Sequence, residues 1–531
     1  MTAFHLGVDP LTPSALADLV ANPEARLWIS AEAHERMATS AQALDEALAR
    51  GITLYGVNTG FGGDAVQGGA ASGSAASGSA APASAAPTSA APPDLQLRLA
   101  RYLDAGSGAP VPYAVARGVL VARAHVLAKG YSAVHPRLVG YLSALFASGI
   151  APWVPTRGSL GASGDLVTLA PLARLVAGDP VPVLTPTGPS TSEAMRGHLP
   201  PSFSLQGREA LALMNGLSCA AAWIALSLVE AQRLLRWATA SAAAAGWGLG
   251  VRAESWSEAM HTPPVSNHAG AAQIAAALRD WLADAPPPPP PPSTPIQDPY
   301  SLRAVPQALG SALEALDFAV GQVTDELETV SDNPIFLDGA PVSGANFFGS
   351  ALVQSADLGK GALARIGDLL ERQTFLLVAG TRGLPVNLVP PGAPYLTHGL
   401  KGVHQSATAL AMALQEGAIP SAPFSRSAEG HNQDVVSNAM NGAAALARQV
   451  EIARELVAAH TCLAAQGVAL APALPLSSGA ALGGWTLRIR ALEPKLGQDT
   501  ALRPMLEALA QLIATSEPGH SSPTRAKEPG R

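Results

Sequence analysis

Gly158-Ser159-Leu160-Gly161-Ala162-Ser163-Gly164-Asp165-Leu166 is the stretch on which the reading of this chain turns. An Ala-Ser-Gly triplet between small residues can close on itself. The amide nitrogen of Gly164 attacks the carbonyl carbon of Ala162. Loss of two waters, one of them carrying the Ser163 hydroxyl, leaves a five-membered ring with an exocyclic methylene. Such a ring is a strong electrophile, a chemistry that ordinary side chains lack. Glycine at the attacking nitrogen carries no Cβ to block a sharp turn. Alanine is small enough for a compressed backbone, and serine supplies the hydroxyl that leaves. The triplet alone decides little, because Ala-Ser-Gly also stands at 71–73, 76–78 and 147–149. The first two fall in a low-complexity run, and the third reads as a helix end stopped by Gly149. Only Ala162–Gly164 lies inside the longer glycine-rich motif.

Around that motif the chain has 531 residues, 48% of them hydrophobic and only 14% charged, enough for two or three domains or one large helical assembly. Abundant alanine and few aromatics suit close-packed helices. A net charge of −7 gives no reason to expect nucleic acid as a partner. The first thirty residues show no basic start followed by an apolar core, so no secretory signal is expected. The most apolar stretch, Leu217 to Val229, is ended by Glu230 and reads as a buried helix, too short to span a bilayer. Cys219 and Cys462 make neither a disulfide framework nor a metal cluster and are read as reduced core residues of a cytoplasmic protein.

Helical patterns dominate: Ser30 to Arg50 with Ser30 as N-cap and Gly51 as the stop, then Tyr113 to Lys129, Pro136 to Ser148, Gly207 to Trp237, Ser301 to Glu328, Gly349 to Leu377, Lys401 to Glu416 and Asn438 to Gln466. Strand patterns are short and scattered, so the expected fold class is mainly α, a long-helix bundle without heptad regularity. The expected division is an N-terminal domain over 1–205 carrying the triplet, a helical bundle over 206–515, and a tail over 516–531. Residues 68–93 are almost wholly Gly, Ala, Ser and Pro and are expected to be flexible, because they have too little side chain to offset the cost of ordering. Seven prolines, Pro286 to Pro292, form the centre of a stiff linker over 284–295.

Five further pieces carry chemistry. Tyr55-Gly-Val-Asn-Thr-Gly-Phe-Gly62 is a glycine-rich loop with one phenol, and it lacks the Lys-Ser/Thr ending of a phosphate loop. Gln297-Asp-Pro-Tyr-Ser-Leu-Arg303 places Tyr300 and Arg303 three apart, on one face if the segment is helical, and the arginine offers a planar fork to a carboxylate. The others are Met214-Asn-Gly216, then Gly344-Ala-Asn-Phe-Phe-Gly349 after Ser331-Asp-Asn-Pro334, and Ser427-Ala-Glu-Gly-His-Asn-Gln-Asp434. Taken singly, each has a plain structural reading: a tyrosine plugging a turn, a surface arginine paired with an acid, a turn-forming asparagine, a hydrogen-bonding His431. No His, Cys, Asp or Glu set has convincing metal spacing, and His398 with His404 would share a helix face only loosely.

Together, in this order and with these spacings from Leu54 to Arg448, the motifs resemble the ammonia-lyase and 2,3-aminomutase family that acts on histidine, phenylalanine or tyrosine. The resemblance implies a fumarase/aspartase-like helical bundle, a smaller N-terminal domain with the lid loop, and a homotetramer whose active sites are shared between chains. The Leu217 to Val229 helix would then belong to the tetramer core. It implies that Ala162, Ser163 and Gly164 form the ring 4-methylideneimidazol-5-one (MIO), with no external cofactor and no metal. It gives Tyr55 the role of base, Arg303 and Asn346 the substrate carboxylate, and Asn215 and Tyr300 a place beside the ring. By the same resemblance Phe347, Glu429 and Gln433 would line the pocket. The product would be a trans-arylacrylate and ammonia, the substrate a small amino acid.

Several positions depart from the family pattern. Tyr102-Leu103 stands ahead of Asp104-Ala105-Gly106 where histidine-specific members carry Ser-His, so Leu103 argues for tyrosine or phenylalanine, and Tyr102 narrows the pocket or offers a hydroxyl. Leu217, Glu328, Phe348, Thr168, Pro171 and Ala304 replace residues usual elsewhere in the family. The 68–93 run falls where the family carries the rest of its lid, and a loose lid favours a lyase over an aminomutase, which must retain ammonia. The other readings are the aminomutase and a helical scaffold without turnover.

Overall fold

The computed structural model describes residues 3–59, 94–287, 296–471 and 480–519. The low-complexity run 68–93, the Gly60–Gly62 end of the tyrosine loop, Pro288 to Pro292 of the linker and the tail from 520 lie outside the described residues.

The chain opens with β1 (Ala3–His5), α1 (Pro13–Ala21), β2 (Arg26–Trp28) and α2 (Ala31–Ala49). After the gap come α3 (Leu95–Leu103), β3 (Ser107–Pro110), α4 (Tyr113–Ala128), α5 (Pro136–Ala147), β4 (Ala151–Pro152) and β5 (Pro155–Arg157). Then follow α6 (Leu166–Ala177), β6 (Pro182–Thr185), β7 (Gly188–Thr191), α7 (Glu209–Met214) and α8 (Ser218–Gly248). The rest is α9 (Ala269–Leu282), α10 (Tyr300–Arg303), α11 (Val305–Glu328), β8 (Ile335–Leu337), β9 (Ala340–Val342), α12 (Ser350–Val378), α13 (Lys401–Gly417), α14 (Ala439–Leu470), α15 (Ala481–Arg490) and α16 (Arg503–Thr515). The architecture is mainly α with long helices, as expected.

Two compact units share the chain. Unit 1 holds residues 1–226, 320–356 and 420–444, and unit 2 holds 227–319, 357–419 and 445–531. The units interleave along the sequence, whereas the sequence reading drew boundaries at 205/206 and 515/516. The reason is that α8, α11, α12 and α14 are long enough to contribute a stretch to each.

Among the described residues every strand lies in unit 1. β1 pairs parallel with β2, β3 antiparallel with β5, β4 with β6 and β6 with β7, and β8 with β9 around Asp338-Gly339, both at positive φ as a tight hairpin requires. Helix α2 shows how local chemistry sets an element. The Ser30 hydroxyl accepts from Ala33 N at 3.1 Å, and the chain leaves the helix through Gly51 at φ +72°. Its buried face, Ala33, Met37, Ser40, Ala43, Leu44 and Ala47, repeats at three and four residues. In unit 2, Trp237, Trp247 and Trp256 are fully buried. Each indole N–H finds a carbonyl, on Ser516, Pro286 and Leu302 respectively. Burying a side chain of this size contributes roughly 3 kcal/mol, provided the N–H keeps a partner.

Two helices differ from expectation. The pattern from Gly207 to Trp237 is broken at Asn215, whose ψ of 90° leaves the helical region, and resumes at Ser218 to run to Gly248. The pattern from Ser301 to Glu328 is split at Ala304 into α10 and α11. The apolar run is also longer than the thirteen residues expected. Among the described residues, 209–248 is the stretch long and apolar enough to cross a membrane, and 89% of its most apolar window is buried within the protein.

Candidate active site

Leu166 opens α6, so the triplet sits in the bends just before a helix N-terminus in unit 1. Ala162 and Gly164 are buried and Ser163 between them is half-buried. Gly161 and Gly164 take φ of +65° and +71°, the left-handed region. Neighbouring stretches hold the turn on several sides. Gly164 N donates to Phe347 O at 3.3 Å, Asp165 N to Gly216 O at 2.7 Å, and Asn438 N to Leu160 O at 2.9 Å. Ser437 Oγ donates to Gly161 O at 2.7 Å, and Ser159 Oγ to Gly164 O at 3.2 Å. A Cβ on Gly164 would stand 2.2 Å from Gly216 N, so only glycine fits there.

The helix break at Asn215 belongs to the same construction. Asn215 Nδ2 donates to Ser163 Oγ at 3.3 Å, and its Oδ1 is buried without a protein partner. Gly216 is wedged against fully buried Arg123, whose Nη1 donates to Asn215 O at 3.3 Å. Leu217 N donates to Ser331 Oγ at 3.3 Å. Helix α8 then restarts under a cap from another segment: Asp165 Oδ2 accepts from Cys219 N and Ala220 N, both at 2.9 Å. Burial pushes the Asp165 carboxyl up to about 6, against these hydrogen bonds, and pushes the Arg123 guanidinium down to about 10. Glu326 is pushed up to about 7 by burial and by the Asp165 charge.

This arrangement fits closure of the triplet. The attacking nitrogen belongs to the one residue type its position admits. The leaving hydroxyl is on the only half-buried member and touches an amide, and the surroundings hold the backbone bent before any bond forms.

Tyr55 is half-buried at the start of its loop. Asn58 Oδ1 accepts from Leu54 N at 2.7 Å, and Thr59 Oγ1 accepts from Gly56 N at 3.1 Å. Gln96, which sequence reasoning passed over, ties this loop to the other side of the site. Its Nε2 donates to Gly56 O at 3.0 Å, and its Oε1 accepts from Ala210 N at 3.1 Å in the helix that ends at Asn215. A lone glutamine on an amphipathic helix gives no sequence signal. The same helix, α3, ends with exposed Tyr102 and buried Leu103. Asp165 was likewise overlooked, although it directly follows the triplet.

Asn346 is exposed, with Nδ2 3.5 Å from Val330 O, and Phe347 supplies the carbonyl that meets Gly164. Gln433 Nε2 donates to Glu429 Oε2 at 3.0 Å, and Ser427 Oγ and His431 Nδ1 are 2.8 Å apart in a turn where Glu429, Gly430 and His431 all have positive φ. Tyr300 and Arg303 belong to unit 2, where the helical spacing brings them together: the guanidinium carbon lies 4.6 Å from the Tyr300 ring centre.

Among the departures, Glu328 has a structural task. Its Oε1 accepts from Leu11 N at 2.6 Å and faces His125 Nε2 at 3.1 Å, and its Oε2 meets Lys129 Nζ at 2.7 Å. Burial would raise its carboxyl, but the His125, Lys129 and Leu11 hydrogen bonds outweigh it and hold the group down at about 2. Leu217 is buried, and Thr168 Oγ1 donates to Asp165 O at 3.1 Å. Among the described residues no group of three or more His, Cys, Asp or Glu is placed to hold a metal. His398 stands outside α13 and pairs with Asp499 at 3.2 Å, whereas His404 is on that helix, 3.7 Å from Glu371, so the two share no helix face.

Comparison with known proteins places the chain in a family. The family model for aromatic amino acid lyases matches residues 11–490. A histidine ammonia-lyase of Anaeromyxobacter dehalogenans (strain 2CP-C) is 33% identical over 515 residues, covering 93% of this chain and 95% of that relative. The crystal structure of histidine ammonia-lyase from Trypanosoma cruzi superposes with a TM-score of 0.83 at 26% identity, covering 96% of this chain and 93% of that one. The tyrosine aminomutase from Streptomyces globisporus superposes with a TM-score of 0.84 at 27% identity, covering 97% of both chains.

Proposed function

The chain belongs to the aromatic amino acid lyase family and is a carbon–nitrogen lyase, and from that premise we propose that it eliminates ammonia from tyrosine or phenylalanine to give the trans-arylacrylate. The observation that carries the reaction is the Ser163–Asn215 contact inside a turn that admits only glycine at 164. Ala162, Ser163 and Gly164 would form the ring, whose methylene would supply the electrophile that makes the substrate amine a better leaving group. Tyr55 takes the β-hydrogen. A phenol ordinarily ionises near pH 10, so this role needs surroundings that favour the phenolate. Arg303 and Asn346 bind the carboxylate, and Asn215 and Tyr300 orient the ring. Phe347, Glu429 and Gln433 line the pocket.

Tyr102 and Leu103 support the choice of substrate, because leucine gives an imidazole nothing to bond with, whereas it packs against a phenyl or phenol ring. Histidine is the second reading, favoured by the printed names of the Anaeromyxobacter and Trypanosoma relatives. An aminomutase is the alternative activity, favoured by the Streptomyces structure. We also infer a homotetramer with active sites shared between chains, a reading that the exposure of Tyr300 supports. Two buried cysteines support a cytoplasmic setting.

The test is ultraviolet absorbance of the purified protein with tyrosine, phenylalanine and histidine in turn, with Ser163→Ala as control. An arylacrylate band with tyrosine or phenylalanine that is absent in the variant supports the proposal. A band with histidine alone moves the substrate to imidazole, and β-amino acids in place of a band make it an aminomutase.

A further inference from the structure

Asp298 precedes the Tyr300–Arg303 turn by two residues and has no part in the chemistry described above. In unit 2 its side chain is 2% exposed. Oδ2 accepts from Arg252 N at 2.8 Å and Oδ1 from Arg382 Nη2 at 2.6 Å. Arg382 also donates through Nε to Leu249 O at 2.6 Å and through Nη2 to Gly250 O at 3.1 Å, just past the end of α8. One guanidinium therefore grips the exit of a 31-residue helix and the entrance of a four-residue one. Two more anchors reach the same turn: Gln373 Nε2 donates to Ser301 O at 2.7 Å, and Trp256 Nε1 to Leu302 O at 2.9 Å.

A helix of one turn does not hold itself together. Its direction, and hence where Arg303 points, comes from these anchors. Arg382 takes φ +60°, a conformation that a non-glycine residue adopts only where its surroundings impose it. A buried ion pair contributes little net stability compared with apolar packing, so a role in orientation accounts for it better than a role in stability.

We propose that Arg382, acting through Asp298, is a positioning residue that aims Arg303 at the substrate carboxylate. This rests on the reading of Arg303 given under Proposed function. The test uses full-length Arg382→Gln, Arg382→Lys and Gln373→Met, with whichever of tyrosine, phenylalanine or histidine the wild type turns over. Two inhibitors are compared: the trans-arylacrylate product, which keeps the carboxylate, and the decarboxylated amine of the same amino acid, which lacks it. Arg382→Gln is expected to raise KM and the inhibition constant of the acid by about tenfold while leaving that of the amine within about twofold. Arg382→Lys recovers part of the loss, and the intact mass shows the same loss of two waters as the wild type. Gln373→Met, which removes only the Ser301 bond, moves the acid in the same direction by less. If Arg382→Gln does not fold, Arg382→Lys decides the matter by the same comparison of acid and amine. Equal weakening of acid and amine, or no change in either, overturns the inference. A wild type that turns over none of the three amino acids overturns the functional reading and this inference with it.

Discussion

The triplet turn and the Tyr300–Arg303 turn are built by the same means and finished in opposite ways. Both are short, and both are held by hydrogen bonds from other segments of their own unit. Around the triplet, Ser159, Gly216, Phe347 and Ser437 close in until only Ser163 is half-buried. Around the second turn, Asp298, Gln373 and Trp256 hold the backbone, yet Tyr300 is left 74% exposed. A turn whose backbone must react with itself needs enclosure, because enclosure imposes the bend. A turn that presents side chains to something else needs a fixed backbone and open side chains. The first is enclosed by segments of its own unit, and the second leaves Tyr300 open.

The comparison breaks first at Ser163. Ser163→Ala should abolish turnover and the two-water mass loss, while leaving the circular dichroism spectrum unchanged. Activity retained by this variant would mean the enclosed turn does no chemistry. Tyr55→Phe should lower kcat by about 10²–10⁴-fold, the usual worth of a positioned proton acceptor, read by steady-state kinetics. If the open turn serves a neighbouring copy, Ser163→Ala and Arg303→Gln should each be inactive alone. Co-expressed, they should recover at most about a quarter of wild-type activity, since random mixing leaves one site in four intact. No recovery would place both turns in the same chain's site.

Two carboxylates sharpen the comparison through pH, with opposite signs. Asp165, under the triplet, is raised from 3.8 to about 6. Across that window the folded protein holds a proton that the unfolded chain has released, so this group's contribution falls as pH rises, by about 3 kcal/mol in all. In urea unfolding, wild type should therefore lose ground to Asp165→Asn between pH 4 and pH 7. A difference independent of pH would show that burial does not shift Asp165. Glu328 is held down from 4.5 to about 2. Its contribution is present above 4.5 and is lost as pH falls toward 2. Its side chain is 35% exposed, so screening reduces the expected effect to about 1 kcal/mol. Glu328→Gln should be less stable than wild type at pH 7 and equal to it near pH 2.

The proposed site could be read from the sequence where its chemistry is local. The proposed ring formers Ala162, Ser163 and Gly164 are consecutive in the chain, and Tyr300 and Arg303 are neighbours by helical spacing alone. Gln96, Asp298 and Arg382 were not legible, because each works through one backbone group far away in sequence, and an isolated polar residue carries no pattern. The two misjudged helices have the same cause. Asn215 lies within a stretch of continuous helical periodicity, and the break there comes from Arg123, Ser331 and the Asp165 cap, none of them near it in sequence.

What the sequence determined by itself was the class of the fold and the family, and with them the candidates for the reactive groups. Helical periodicity and bond-forming order are properties of neighbouring residues. What only the tertiary structure decided was which helix breaks, which turn is enclosed and which is left open. Those depend on hydrogen bonds between segments such as 165 and 219, or 298 and 382, and such pairings exist only once the chain has folded.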